Sequence, residues 1–414
     1  MKKVSDQLVD KTRSGREKPW AVHKDFSKRI SDSLFRIGKG SIADKMASCG
    51  DFLKFEGCPD GHERSLKWAS FCKARFCPMC QWRRSLKTFG QVFEVASLAN
   101  QAHKIKWVFL TLTVQNVEGE KLGETITKML EGFNRLVRRE PLKSFSYGWF
   151  RSLEVTRSNK LYVENEDGEF VENEWYGTYH PHYHVLIAMK STYMTKGYKT
   201  IDEWRGIWKE CIKTEYLPVV HITTVKDRKS KKRFEDNVVD FGYKVRPDHE
   251  EDDLMIGAVA ESAKYAVKSK DLFYDVNPIV DELIELSNDE TDDILLDLYS
   301  SLNRRKMAQF GGLLLELKGD RDEAYDELIL LKKEKHDGKC SCSVCSKEFV
   351  EQLYSWLPNM KNYYRIVKAS QEEKIEKKID HMVNGEVKII KRAPKDGATI
   401  KQILTYGRID DECE

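Results

Sequence analysis

The part of this chain best suited to chemistry is a histidine cluster at residues 180–184. The sequence HPHYHVLI over 180–187 holds three of the ten histidines of the chain within five residues. Alternate side chains of an extended strand share one face, so His182 and His184 are predicted to lie side by side, with Tyr183 on the other face. Two imidazoles fixed on a rigid strand are typical of a divalent metal site.

A catalytic metal site usually has a third protein ligand and keeps positions open for substrate. Glu154 is our choice for that ligand, because it is the lone carboxylate on the polar face of an alternating segment at 150–156. His180 shares the face of the histidine pair and is either the third ligand or a group that supports the ligands. His221, in a later extended segment, is predicted to be structural.

A second chemical feature is the segment ESAKYAVK at 261–268. A helix would place Glu261, Tyr265 and Lys268 one above another on a single face. A tyrosine oxygen becomes an effective nucleophile when a metal or cation stabilises the phenolate, and Lys268 could supply that charge or hold a phosphate. Glu261 could then deprotonate a water. The alternative is a ladder of surface salt bridges, which the histidine strand upstream disfavours.

Two clusters of cysteines have metal-ligand spacing. Cys77 and Cys80 form half of a zinc knuckle, with Cys49 and Cys72 as plausible partners. A second zinc site of three sulfurs and one nitrogen is predicted from a set near the C-terminal end: His336, Cys340, Cys342 and Cys345. Reduced cysteines buried in a helical domain are the alternative for the first cluster.

The charge distribution indicates a polyanionic partner for the N-terminal part. Residues 1–90 contain twenty Lys and Arg against ten Asp and Glu, a net charge of +10, whereas the whole chain carries +3. Basic side chains near tryptophans suit phosphate contacts and base stacking. The predicted DNA-binding residues are Arg75, Arg83, Arg84 and Lys87.

Extended and helical patterns alternate through the middle of the chain. Strands are predicted at 108–114, 150–156, 182–188 and 217–225, with an acidic insertion at 158–178 forming a long hairpin loop. Helices are predicted at 257–270, 280–298 and 313–335. No apolar run approaches the ~18 residues of a membrane span, and no signal peptide is recognisable, so we expect a cytoplasmic protein without a membrane partner.

Three motifs in a fixed order resemble those of rolling-circle plasmid replication initiators, which are HUH endonucleases. They are FLTLT at 109–113, HPHYHVLI at 180–187 and ESAKYAVKSKDLF at 261–273, and CKARFCPMCQWRRSLK at 72–87 resembles the N-terminal segment of one plasmid subgroup. In that subgroup a glutamate stands four residues before the catalytic tyrosine, as Glu261 does here. The resemblance covers roughly residues 46–275. It favours Cys49, Cys72, Cys77 and Cys80 as the zinc ligands, because Cys58 and His62 lie in an apparent insertion.

The resemblance implies an α+β fold with a central antiparallel sheet flanked by helices. We expect an N-terminal zinc-binding and DNA-binding module at 1–95, an endonuclease domain at 96–275 and a helical C-terminal region at 276–414. It also implies Mn²⁺ or Mg²⁺ at the catalytic site and structural Zn²⁺. The expected partners are single-stranded and duplex origin DNA of a bacterial plasmid, a host helicase and a second copy in a homodimer.

The implied reaction is nicking of origin DNA by Tyr265, which leaves a 5′-phosphotyrosine and a free 3′-OH. Glu261 is implied to activate water at termination in place of a second tyrosine. A transposase of the same endonuclease class is one alternative, although a paired catalytic tyrosine would be expected there. A conjugative relaxase usually carries its tyrosine before the histidines. A zinc-dependent origin-binding repressor would have no use for an intact His182, His184 and Tyr265.

Overall fold

The computed structural model describes residues 7–12, 15–225, 250–264, 267–319, 339–340, 345 and 347–366. Its helices are α1 (Trp20–Arg36), α2 (Gly40–Ala47), α3 (Pro78–Ala102), α4 (Gly119–Leu136), α5 (Leu142–Phe145), α6 (Ile201–Ile212), α7 (Glu250–Ser262), α8 (Asn288–Leu302) and α9 (Leu313–Lys318). Among these residues, no helix is both long and apolar enough to cross a membrane.

The strands form one larger sheet, one smaller sheet and two hairpins. They are β1 (Phe52–Gly57), β2 (Arg64–Ala69), β3 (Ile105–Thr113), β4 (Ser146–Arg157), β5 (Tyr162–Glu164), β6 (Phe170–Glu172), β7 (Tyr179–Lys190), β8 (Val220–Thr224), β9 (Tyr274–Asn277), β10 (Glu282–Glu285), β11 (Ala308–Gly312), β12 (Val350–Leu357) and β13 (Asn362–Arg365).

The central sheet is antiparallel and has the strand order β11-β4-β7-β3-β8, so the histidine strand β7 lies in the middle. Both of its faces are buried. Leu110 and Val185 belong to a hydrophobic cluster that includes side chains of α4, α6 and α8, whereas Phe109, Phe150 and Leu186 pack in a second cluster with α3 and α7. The predicted α+β class, with a central antiparallel sheet flanked by helices, is confirmed.

The smaller sheet joins a segment near the N-terminal part of the chain to one in the C-terminal part. Its order is β13-β12-β1-β2, and β12 pairs with β1 from Phe52 opposite Ser355 to Gly57 opposite Val350. The region predicted to be helical at 276–414 therefore also contributes strands, one pair to this sheet and β11 to the central sheet. The alternating aromatic and polar residues of β12 were the signal for this strand.

The acidic segment at 280–298, predicted as one helix, begins instead with strand β10, which pairs with β9. The helix α8 starts only at Asn288 because Ser287 caps it: Glu290 N donates to Ser287 Oγ, and Ser287 N donates to the Glu290 carboxylate. The insertion at 158–178 forms the predicted hairpin, with β5 and β6 as its two strands.

Candidate metal centre and flanking side chains

Strands β4 and β7 bring a carboxylate and two imidazoles to one face of the central sheet. In the register of the two strands Glu154 lies opposite His182, and Ser152 lies opposite His184. The hairpin at 158–178 extends beyond the ends of these strands, so its length does not disturb their pairing. Tyr183 points to the other face, where its ring meets Phe133 with centroids 5.7 Å apart.

The three side chains converge on one point. Glu154 Oε2 is 3.0 Å from His184 Nε2 and 3.5 Å from His182 Nε2, and one ligand atom from each residue lies within 4.8 Å of the others. His182 Nδ1 lies 3.1 Å from the carbonyl oxygen of His180. A proton on Nδ1 satisfies that carbonyl and leaves the lone pair of Nε2 directed at the convergence point. The ring of His180 lies outside this group, with its centroid 5.4 Å from that of His182.

The charges within this group suit a cation. Burial raises the pKa of the Glu154 carboxyl, but the interactions with His182 and His184 together outweigh burial, so its pKa lies well below the ordinary range. Burial lowers the pKa of His184. An ionised carboxylate beside a neutral imidazole is the protonation state that a metal site requires. The mixed nitrogen and oxygen donors, all three buried, therefore fit a divalent ion with open coordination positions.

Two further charged side chains reach this group from the segment that begins in α7. Glu261 is buried, and its Oε1 is 3.9 Å from His184 Nε2, while its Oε2 accepts a hydrogen bond from Lys264 Nζ at 2.6 Å. Lys268 Nζ is 3.9 Å from Glu154 Oε1, and its side chain is 55% exposed. The two sides of the site thus differ, because Glu261 places a buried carboxylate on one side and Lys268 places an accessible cation on the other.

The predicted helical face for Glu261, Tyr265 and Lys268 is wrong, because α7 ends at Ser262. Lys268 has extended backbone angles, φ −80° and ψ 119°, and precedes a short 3-10 helix at Ser269–Leu272. Tyr265 lies outside the described residues.

The helix ends where the chain passes from one hydrophobic cluster to the other. Ala263 packs in the cluster on the histidine face of the sheet, whereas Val267 packs in the cluster on the other side. Phe273 follows and stacks on Phe26 of α1 with centroids 5.5 Å apart. One straight helix cannot bury side chains in both clusters, so the backbone turns. The spacing of the polar residues does not predict this turn.

The four N-terminal cysteines predicted as zinc ligands come together around the start of α3. Their sulfur atoms are 3.4 Å apart for Cys49 and Cys77, 3.6 Å for Cys49 and Cys80, and 3.7 Å for Cys72 and Cys80. A tetrahedral zinc ion with bonds of about 2.3 Å would separate its sulfurs by about 3.8 Å. This cluster has the dimensions of a four-thiolate metal site.

Replacing Cys77 and Cys80 together by serine should remove one bound zinc per chain and lower the unfolding midpoint of the N-terminal part. The reason is that a site with two thiolates left holds zinc far more weakly. Zinc content by elemental analysis and thermal unfolding test this. The buried Cys211, which belongs to neither cysteine cluster, gives the control Cys211→Ser. Unchanged zinc content in the double variant would contradict the assignment.

The predicted second zinc set is only partly described. His336 and Cys342 lie outside the described residues, whereas Cys340 and Cys345 lie beside Cys58 and His62. Cys58 and His62 were not predicted as ligands, although a cysteine and a histidine four residues apart have metal-ligand spacing.

Three of the four predicted DNA-binding side chains are engaged within the protein. Arg83 is buried and stacks over the rings of Trp20 and Trp82, and burial lowers its pKa to about 10. It cannot reach a DNA phosphate, so its assignment is wrong. Arg84 donates to the carbonyl oxygens of residues 73 and 74, and Arg75 donates to that of residue 305. Lys87 is half-buried.

Comparison with known proteins places these features in a family. Residues 63–364 match the model of a family described as "Replication protein". The chain is 31% identical to "Protein rep" of Bacillus amyloliquefaciens over 369 residues, which is 86% of this chain and 96% of the relative. It is 33% identical to "Protein rep" of Streptococcus pneumoniae serotype 2, over 75% of this chain and 82% of the relative. No solved structure gives a significant match.

Proposed function

Since the chain belongs to the replication-protein family, we propose that it is a plasmid replication initiator that nicks one strand of its origin DNA. The observation that carries the proposal is the buried group of Glu154, His182 and His184, flanked by Glu261 and Lys268. A family member that only bound DNA would have no need to bury an ionised carboxylate against two imidazoles, because such an arrangement costs desolvation energy without a ligand.

The proposed nucleophile is Tyr265, whose neighbours in the chain reach the site from both directions: Lys264 contacts Glu261, and Lys268 approaches Glu154. The phenolic oxygen forms a bond to phosphorus, the bond from phosphorus to the 3′ oxygen breaks, and that oxygen takes up a proton as the phenol loses one. The products are a 5′-phosphotyrosine and a free 3′-OH. A divalent ion held by Glu154, His182 and His184 would polarise the scissile phosphate.

The exposed ammonium of Lys268 can bind a negatively charged group. It lies on the accessible side of the group, where it can contact a phosphate oxygen or stabilise the phenolate. Glu261 occupies the buried side and forms an ion pair with Lys264. We propose that Glu261 accepts a proton from water at termination, which releases the finished strand from Tyr265.

Mn²⁺ or Mg²⁺ would bind at the catalytic group, and Zn²⁺ at Cys49, Cys72, Cys77 and Cys80. Residues 1–95 would bind duplex origin DNA, 96–275 would carry the endonuclease, and 276–414 would form the C-terminal region. A host helicase and a homodimer in the bacterial cytoplasm complete the proposed setting.

The experiment that tests the function uses an oligonucleotide carrying the plasmid nick site, incubated with the purified full-length protein and Mn²⁺ or Mg²⁺. We expect a shortened strand with a 3′-OH and a covalent protein–DNA adduct. Proteolysis and mass spectrometry identify the modified residue. Binding of origin DNA without any cleavage in either metal would favour a non-catalytic repressor and would refute the endonuclease.

Replacing Glu261 by alanine should leave nicking within a few-fold of the unaltered rate while termination fails. The attack of Tyr265 needs no carboxylate at this position, whereas water needs a base within hydrogen-bond reach. Plasmid products longer than unit length should then accumulate, as gel analysis of replication products would reveal. The exposed Glu282 on β10 gives the control variant Glu282→Ala. Equal loss of nicking and termination would instead assign Glu261 to positioning the metal ligands.

A further inference from the structure

A second group of metal-ligating side chains lies where the turn between β1 and β2 meets the C-terminal segment. Cys58 Sγ is 3.5 Å from Cys345 Sγ, and His62 Nδ1 is 3.6 Å from Cys58 Sγ and 3.3 Å from Cys345 Sγ. Cys340 Sγ completes the group at 4.0 Å from His62 Nδ1. All four ligand atoms lie within 4.8 Å of one another.

These distances are close to the edges of a tetrahedron around a zinc ion. Bonds of about 2.3 Å to sulfur and about 2.0–2.1 Å to nitrogen give separations of about 3.8 Å between sulfurs and about 3.6 Å between sulfur and nitrogen. The sulfurs of Cys58 and Cys345 are too far apart for a disulfide, whose bond length is about 2.05 Å. We propose that Cys58, His62, Cys340 and Cys345 form a second structural zinc centre.

Backbone hydrogen bonds fix the chain beside the ligands on both sides of the group. On the N-terminal side, Cys58 N donates to the carbonyl oxygen of Glu63 at 2.8 Å, and Gly61 N donates to that of Cys58 at 2.9 Å. On the C-terminal side, Cys340 N donates to the carbonyl oxygen of Lys347 at 2.9 Å. These hydrogen bonds restrict the positions of the ligands, and such restriction favours metal binding.

Other contacts join the N-terminal and C-terminal segments around the ligands. Lys347 Nζ lies 2.7 Å from Asp60 Oδ2, and the buried amide of Gln352 donates from Nε2 to the carbonyl oxygen of Cys58 at 3.1 Å. The ligands come from two segments that are far apart in sequence, since 287 positions separate Cys58 from Cys345.

The position of the second metal centre indicates a structural role in the small sheet. Strand β1 runs from Phe52 to Gly57, so Cys49 precedes it by three residues and Cys58 follows it directly. Metal centres would then lie at both ends of strand β1. The second centre would hold β12 against β1. Bringing the ends of a long loop together has an entropic cost, and metal binding at the closed ends offsets that cost. This inference does not rest on the proposed nicking activity.

Zinc content of the full-length protein tests the proposal directly. We expect about two zinc ions per chain in the unaltered protein and about one in the double variant His62→Asn/Cys345→Ser. The matched control His103→Asn, at a half-buried histidine outside both cysteine clusters, should keep two. Hydrogen exchange of the β12 amides should become faster in the double variant. Two zinc ions in the double variant would overturn the proposal. So would a single zinc ion in both the unaltered protein and the double variant.

Alkylation of the cysteines in the unaltered protein is an independent test. It remains decisive even if the double variant fails to fold. The thiol of Cys345 is only half-buried. A zinc-bound thiolate resists alkylation, whereas a free thiol at this exposure reacts. We expect Cys340 and Cys345 to resist iodoacetamide in the purified protein and to become alkylated once a chelator removes zinc, as peptide mass spectrometry would show. Full alkylation of Cys345 without chelator would refute the centre.

Discussion

Replacing His184 by alanine should reduce nicking of the single-stranded origin by about a thousandfold or more. His184 is the central member of the proposed metal site, since its Nε2 lies 3.0 Å from Glu154 and 3.9 Å from Glu261. Its loss removes one of three ligands and leaves a buried carboxylate without its closest partner. Single-turnover cleavage of a labelled oligonucleotide, at saturating enzyme, measures the effect on the bond-breaking step.

Two measurements separate loss of metal from loss of fold. Calorimetric titration should show that the variant binds Mn²⁺ much more weakly than the unaltered protein, while far-UV circular dichroism stays the same. His221 offers a matched control because it is an exposed histidine that pairs with Thr111 in the same sheet, as His184 does. His221→Ala should cleave normally. Normal cleavage by His184→Ala, or cleavage by the unaltered protein in excess EDTA, would refute the metal site.

The part of the site that follows from strand periodicity could be predicted from the sequence. A spacing of two places His182 and His184 on one face, and the alternation at 150–156 separates Glu154 from its apolar neighbours. Adjacent strands then bring these side chains together, as the register of β4 and β7 does. These features are local in sequence, and only the pairing of the two strands is not.

What could not be predicted depends on contacts between distant parts of the chain. The turn after Ser262 exists because Ala263 and Val267 belong to different hydrophobic clusters, which the sequence alone does not define. Likewise, Cys58 meets Cys345 only because β12 pairs with β1.

The error at Arg83 has a different cause. Its charge suggested a DNA contact, but it lies four residues after the buried Met79 on the inner side of α3. Two tryptophan rings stabilise the guanidinium there through cation–π contacts. A helical projection of α3 would have placed Arg83 on the buried side together with Met79, so helical periodicity was the better guide at this position.

The variant Tyr265→Phe should lose covalent adduct formation and nicking entirely, to the limit of detection, because it lacks only the attacking oxygen. A residue that forms the covalent bond contributes more than any group that merely assists, so its removal is expected to cost well over about a thousandfold. Origin binding and Mn²⁺ binding should stay unchanged, since neither Glu154 nor the histidine pair is altered. Gel-shift and calorimetric titrations check both.

The matched control for Tyr265→Phe is Tyr274→Phe, nine residues further along. The hydroxyl of Tyr274 accepts a hydrogen bond from Arg29 Nη1 at 2.8 Å, so this tyrosine is engaged in packing against α1. Its variant should nick at a normal rate and lose about 1.5–3 kcal/mol of stability, the range for one hydrogen bond to a charged group. Mapping of the DNA–peptide adduct decides the assignment: a phosphotyrosine at Tyr274 or Tyr243, or an adduct that survives in Tyr265→Phe, would show that the nucleophile is a different residue even if the metal site stands.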